Sequence, residues 1–457
     1  MLFLFFCVLS LSASAAFAQM QGLPKRMGKD IIPGHYIVVL RDHVQDPDFV
    51  AENIARYHRF TLGHVYKRAL KGFSARIPEV RLEAVARDPD VAFIEPDRWV
   101  YAVQQTIPTG VERMGTLQNP TANINGVDDR VDVDIAIIDT GIDLDHPDLN
   151  VVSSTNCARS LGACRDGQGN DGHGHGSHVA GIAAALDNSY GVVGVAPGAR
   201  LWAVKVMSDK GTGYLSWIIK GIDWVTARAA SIEVANMSLA WYGYSSAAHT
   251  AIKNSVAKGV VYFAAAGNDS TDVYGPDGTF GTEDDICPAA FPEVAAISAL
   301  NDTDGTWGGT GGASEYGNDD SLASFSNFSR SVAQGNPVDS PGMAIDLMCP
   351  GVNIYSTYKN GGYTTFSGTS MDSPHASGLA ALHIAQYGRA NDANGVYAIR
   401  QALIDGGIIQ EGQYGLAAGI DPDTFPERLG WAGTTEPVTD IAIAEISAPG
   451  PVLQGDP

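Results

Sequence analysis

From about residue 130 onward, apolar runs of strand length alternate with longer helical segments, and this alternation restricts the fold more than any other feature of the chain. The strand-like runs are VDVDIAIID (131–139), LWAVKVM (201–207), IEVANMSL (232–239), VVYFAAAG (260–267) and VAAISAL (294–300). Between them lie SHVAGIAAAL (177–186), YLSWIIKGIDWVTARAA (214–230) and AAHTAIKNSVAKG (247–259), which carry helical spacing. Near-continuous apolar strands joined by helices are the pattern of βαβ units, so the expected fold is α/β: a doubly wound, mostly parallel sheet with helices on both faces. In such sheets function sits at the carboxyl ends of the strands.

The chain ahead of this region reads differently. A strand at HYIVVLR (35–41), a helical pattern at FVAENIARYHRF (49–60), strands within GHVYKRALKGFSARI (63–77), a helix at VRLEAVARD (80–88) and a strand at VAFIEPD (91–97) give a small ferredoxin-like α+β unit. The first 18 residues, MLFLFFCVLSLSASAAFA, are an apolar stretch ending in Ala16-Phe17-Ala18. The stretch is too short for a spanning helix and ends as a cleavable export signal does, so secretion is expected. The boundaries are then a signal at 1–18, a first domain at 19–101, the main domain at 102–431 and a tail at 432–457. The tail alternates like the first strand of a β-sandwich domain. Segments 269–286 and 301–320 are rich in Gly and Asp and aperiodic, hence surface loops.

Charge is unevenly placed: residues 19–101 hold 13 Lys+Arg against 11 Asp+Glu, whereas 102–457 hold 16 against 40. So acidic a body argues against nucleic acid or an anionic membrane as partner, and favours solubility or cation binding. Beyond Cys7 four cysteines remain, an even number that suggests disulfides in an exported chain. Cys157 and Cys164 are close in sequence, so a local clip there leaves Cys287 with Cys349. Neither CxxC pairs nor His spacing supports zinc.

Three motifs carry the chemistry. Ile137-Ile138-Asp139-Thr140-Gly141-Ile142-Asp143 puts a carboxylate at the end of an apolar strand. Asp171-Gly172-His173-Gly174-His175-Gly176-Ser177-His178 opens a helix, and Phe366-Ser367-Gly368-Thr369-Ser370-Met371-Asp372-Ser373-Pro374-His375 puts a serine at the start of another. A serine is a poor nucleophile near neutral pH. It needs an imidazole to take its proton and a carboxylate to hold that imidazole in the useful tautomer. An α/β-hydrolase is excluded, because its serine lies in a G-x-S-x-G elbow ahead of the acid and the histidine, whereas Ser370 comes last.

In this order the motifs resemble the subtilisin-like serine proteases, proteinase K-like branch, over roughly residues 130–430. The resemblance implies an endopeptidase working through an acyl-enzyme, with Asp139 orienting, His175 as base and acid, and Ser370 as nucleophile. By the same resemblance His178 is a packed helix residue. Ala264-Ala265-Ala266-Gly267-Asn268 matches the family's oxyanion asparagine; read without the family, Asn268 is equally a turn former. Gly211, Thr212 and Gly213 resemble the edge that pairs with an extended peptide. Ser238, Leu239 and Ala240, with Ala266 and Gly267, resemble the walls of the specificity pocket. Ala240-Trp241 departs from the family's Gly-Gly and is expected to narrow that pocket, and Asp372 stands where the family more often has Ala, in the first turn of the serine's helix, where an acid suits the dipole and is expected to pull His175 upward.

The first domain resembles the family's inhibitor I9-type propeptide, through Gly72-Phe73-Ser74-Ala75 and Ile94-Glu95-Pro96-Asp97. The implication is a zymogen whose own propeptide blocks the site until cleavage near 101–106; from its residues alone the segment is a small independent domain. Calcium is the implied cofactor, on the carbonyls of Pro292 and Val294 and on Asp302, with further oxygens in Asp277–Asp285. Peptides or proteins are the implied substrates, and a monomer is expected. The reading from a different class is an inactive scaffold on the same fold.

Overall fold

The computed structural model describes residues 31–98, 105–308, 311–409 and 424–433. The leader at 1–18, positions 101–104 of the expected cleavage stretch and the tail beyond 433 lie outside the described residues. The chain divides into two compact units, 1–102 and 103–457.

In the first unit β1 (Ile31–Leu40), α1 (Pro47–His58), β2 (Thr61–Tyr66), β3 (Gly72–Arg76), α2 (Glu79–Ala86) and β4 (Val91–Arg98) follow in sequence. The strands form an antiparallel sheet in the order β2-β3-β1-β4. Helix α1 starts where it does because Asp46 accepts the N–H of Phe49 at 3.2 Å and Pro47 sets the first turn. It stops at Arg59, which takes the left-handed conformation at φ 53°. Ala51 and Ile54 on its inner face join Val38, Phe73, Ile77 and Val85 in a small core of the unit's own.

The second unit is built on one large sheet. Its strands are β5 (Asp134–Asp139), β6 (Val151–Asn156), β7 (Arg165–Asp166), β8 (Arg200–Lys205), β9 (Val234–Met237), β11 (Val261–Ala265), β13 (Ala295–Asn301), β14 (Ser321–Leu322), β15 (Ile345–Pro350) and β18 (Arg428–Leu429). They run in the order β18-β15-β13-β11-β9-β5-β8-β6-β7, with β14 on β13. From β18 to β6 every pairing is parallel; β7 and β14 add antiparallel edges. All six residues of β5 are buried, as expected of a strand covered on both faces. Two short ribbons complete the strands: β10 (Trp241–Tyr242) with β12 (Ile286–Cys287), and β16 (Ile354–Tyr358) with β17 (Gly362–Phe366).

Helices α3 (Thr109–Arg113), α4 (His175–Ala184), α5 (Leu215–Thr226), α6 (Ser246–Val256), α7 (Thr369–Tyr387) and α8 (Ala393–Gly406) cover the sheet. Helix α7 packs on α4 and across β9, β11, β13 and β15, while α5 packs on α6. The chain runs outward from β5 to β6, returns through β8 and then crosses to β9. The carboxyl end of β5 is therefore a switch point of the kind where open α/β sheets place their sites.

Candidate active site

Asp139 ends β5 and is fully buried. Its Oδ1 accepts the N–H of Thr140 at 2.6 Å and faces Nδ1 of His175 at 2.8 Å. His175 is the first residue of α4 and can come so close because Gly176 follows it: a Cβ there would stand 2.1 Å from the Gly141 carbonyl oxygen. The start of α4 is held by Asp171. Its carboxylate accepts the backbone N–H of His173, Gly174 and Ser177 and the hydroxyls of Ser177 and Thr140, all between 2.7 and 2.9 Å. Sequence reasoning gave Asp171 no role. Its signal was a helix-capping acid four positions ahead of His175.

Burial works against a charge on His175, but the Asp139 carboxylate and its hydrogen bond, with Asp171 behind, hold the imidazole above its ordinary value. A neutral imidazole bonded through Nδ1–H to Asp139 presents Nε2 as the basic nitrogen. His178, one turn along α4, is buried at 0% exposure with Nε2 on the carbonyls of Ile354 and Thr364, and burial pushes it down to about 3. It is a packing residue.

Ser370 occupies the second position of α7 and is half-buried, its hydroxyl donating to the Ser238 carbonyl at 3.4 Å. In return the Ser238 hydroxyl donates to the Ser370 carbonyl at 2.8 Å. Asn236 donates to the Ser238 hydroxyl, and its amide oxygen accepts the hydroxyls of Ser373 and Ser377. The carboxyl end of β9 is thus tied to the first turns of the serine's helix. Asn268 follows β11 and is exposed. Its Oδ1 accepts both the N–H and the hydroxyl of Thr369 at 2.9 Å, and its amide nitrogen flanks Gly368. Gly267, at φ 110°, donates its N–H to the Thr369 hydroxyl, and Ala266 is buried behind it. Leu239 is buried and Ala240 exposed, whereas the Trp241 indole turns inward, edge-on to Phe291 at 5.9 Å. Gly211 closes a turn onto Ser208, and Thr212 and Gly213 stand exposed.

Residues 131–414 match the subtilase family model, and residues 35–102 match the model of peptidase inhibitor I9. The chain belongs to the subtilase family. Subtilisin E of Bacillus subtilis is 36% identical over 314 residues, 69% of this chain and 70% of that protein. Among solved structures, Sphericase superposes with a TM-score of 0.56 at 31% identity, over 73% of this chain and 100% of that one. S41 Psychrophilic Protease gives 0.55 at 32% identity, over 73% and 100%. This subtilase is a serine endopeptidase carrying an I9-type propeptide domain.

Three expectations are corrected. Cys157 and Cys164 are joined, but Cys287 and Cys349 are free and buried. Cys287 lies opposite Trp241 in the β10–β12 ribbon, while Cys349 lies opposite Ala299 in the large sheet with its Sγ against Gly430. At Pro292 the cation is part of the protein: the Arg400 guanidinium donates to the Pro292 carbonyl at 2.7 Å and grips buried Asp346 at 2.9 and 3.0 Å. A calcium ion does not fit beside that fixed positive charge, and Val294 is a core residue at 1% exposure. Asp302 lies instead with Asp304 and Asp319. Asp372 does not act on His175: it is fully buried, and the groups that raise the imidazole are Asp139 and Asp171, not Asp372.

Proposed function

We propose that the chain is a secreted zymogen whose main domain hydrolyses peptide bonds with Asp139, His175 and Ser370, restrained until processing by the segment 19–101. The observation that carries this reading is the 2.8 Å bond from the buried Asp139 carboxylate to His175 Nδ1, which leaves Nε2 basic. Rotation of the Ser370 hydroxyl from Ser238 to Nε2 starts the reaction. Nε2 takes the proton as Oγ attacks the substrate carbonyl. The oxygen that becomes negative is received by the Asn268 amide and the Ser370 N–H, at the positive end of α7. The imidazolium then returns its proton to the leaving amine, and water repeats the sequence on the acyl-enzyme.

Gly211–Gly213 is the edge on which an extended peptide would lie, and Ser238–Ala240 with Ala266 and Gly267 the wall beside its side chain. Main-chain pairing of this kind suits protein substrates of varied sequence. Calcium is the cofactor the family suggests, at a place other than Pro292. The leader at 1–18 supports export, and among the described residues no helix is long and apolar enough to cross a membrane.

The test is incubation of purified precursor with a serine-directed phosphonate and a protein substrate, beside Ser370→Ala. Wild type is expected to label at Ser370, to cut itself near 101–106 and to hydrolyse the substrate, and the variant to do none of these. Labelling or self-cleavage that persists in Ser370→Ala would sink the assignment.

A further inference from the structure

Where β13 ends, the chain reads Asp302-Thr303-Asp304-Gly305-Thr306. Asp302 is 1% exposed. Its Oδ1 accepts the backbone N–H of Gly305 at 3.0 Å and of Asp304 at 3.3 Å, but its Oδ2 is buried without any donor. Such an oxygen is costly unless something positive faces it. Asp319 returns from the far end of the loop, 7% exposed, and accepts the Thr303 N–H at 2.7 Å and the Gly311 N–H at 2.7 Å. One carboxylate oxygen from each of Asp302, Asp304 and Asp319 lies within 4.8 Å of the other two.

The nearby cation of the chain is already engaged. Arg113 donates Nε and Nη2 to Asp320 at 2.9 and 2.7 Å and stacks on Trp307 at 3.6 Å. Three carboxylates therefore converge on one point with the neighbouring guanidinium bonded elsewhere. A calcium ion binds oxygens at about 2.3–2.6 Å, so two of its ligands stand at most about 5 Å apart. The span of this cluster meets that limit. We propose that Asp302, Asp304 and Asp319 form a calcium site that closes the 302–319 loop onto the ends of β13 and β14. The site involves none of the residues assigned to peptide hydrolysis, so it stands or falls separately from them.

The test uses the full chain carrying Ser370→Ala, to prevent autolysis, stripped with chelator and titrated with calcium by calorimetry and with terbium by luminescence. Asp304→Asn and Asp319→Asn should each weaken one calcium-binding event at least tenfold. Excitation of tryptophan should give terbium emission that Trp307→Phe reduces and excess calcium removes, while Trp307→Phe leaves calorimetric binding intact. Asp304 is half-buried, so its variant reads binding even if a change at Asp302 prevents folding. Calcium affinity and stoichiometry unchanged in both variants would overturn the site, as would equal competition by sodium, which would mean an acidic surface only.

Discussion

Thr369 reaches back 101 positions along the chain to hold the Oδ1 of Asn268 with its N–H and hydroxyl. That contact supports the proposed oxyanion role of Asn268 over a turn-forming one: with Oδ1 occupied, the amide N–H pair is the end left to donate. Asn268→Ala should lower kcat on the order of 10²–10³, the loss known for removal of one oxyanion donor in subtilisin itself, with KM little changed. Thr369→Val should cost less, because the donor stays but is no longer aimed, and Thr369→Ser should restore most of the rate. Equal losses in kcat and KM for Asn268→Ala would point to a structural role. At His175, burial lowers and Asp139 raises the proton affinity, and Asp139 wins. The imidazole must be neutral to act, so activity is lost as pH falls through that raised value. In Asp139→Asn the His175 resonance should titrate at lower pH by NMR; an unmoved titration would mean Asp139 is not what holds it up.

Among the elements, α7 shows what a motif conveys and what it conceals. The sequence placed Ser370 correctly at a helix start, because a Gly-Thr-Ser turn followed by small residues is local information. It could not show that Asp372, two residues on, points into the core with both oxygens unpartnered, since that depends on β15 and Glu427. The same limit hid Arg400, whose partners Asp346 and Pro292 lie 54 and 108 positions away. Asp372 makes a testable difference to stability. Its folded-state pKa is raised above the unfolded one, so folded chains hold a proton that unfolded chains have released. Stability is therefore undiminished below the ordinary carboxylate value and falls as pH rises through the raised one. Asp372→Asn removes that proton exchange. Its melting temperature should fall less than that of the parent between pH 5 and 8, both measured in the Ser370→Ala background, and parallel curves would show that Asp372 ionises freely.

At the scale of the whole chain, each unit coheres through its own sheet and core, and among the described residues of the second unit the one covalent tie is local rather than long-range. The alternation of strands and helices announced the second unit's sheet, because each element's periodicity is written in consecutive residues. Disulfide pairing is not written that way, which is why elimination joined Cys287 to Cys349 and the fold did not. The bridge that exists closes only seven positions, and a loop that short restrains the unfolded chain by roughly 2.5 kcal/mol. Breaking it should lower the melting temperature by about 5 °C or less in a domain of this size. The two free thiols give an independent reading. Both are buried, and burial drives their pKa values upward, with Asp285 near Cys287 adding to the effect there. Thiolate is the reactive form, so neither should react in the folded state. For a chain lacking residues 1–18, a disulfide-exchange dye should find no thiol under native conditions, two in denaturant, and four in denaturant after reduction. No thiol in denaturant before reduction would mean that Cys287 and Cys349 are bridged after all, and the large sheet would then be stapled to the β10–β12 ribbon.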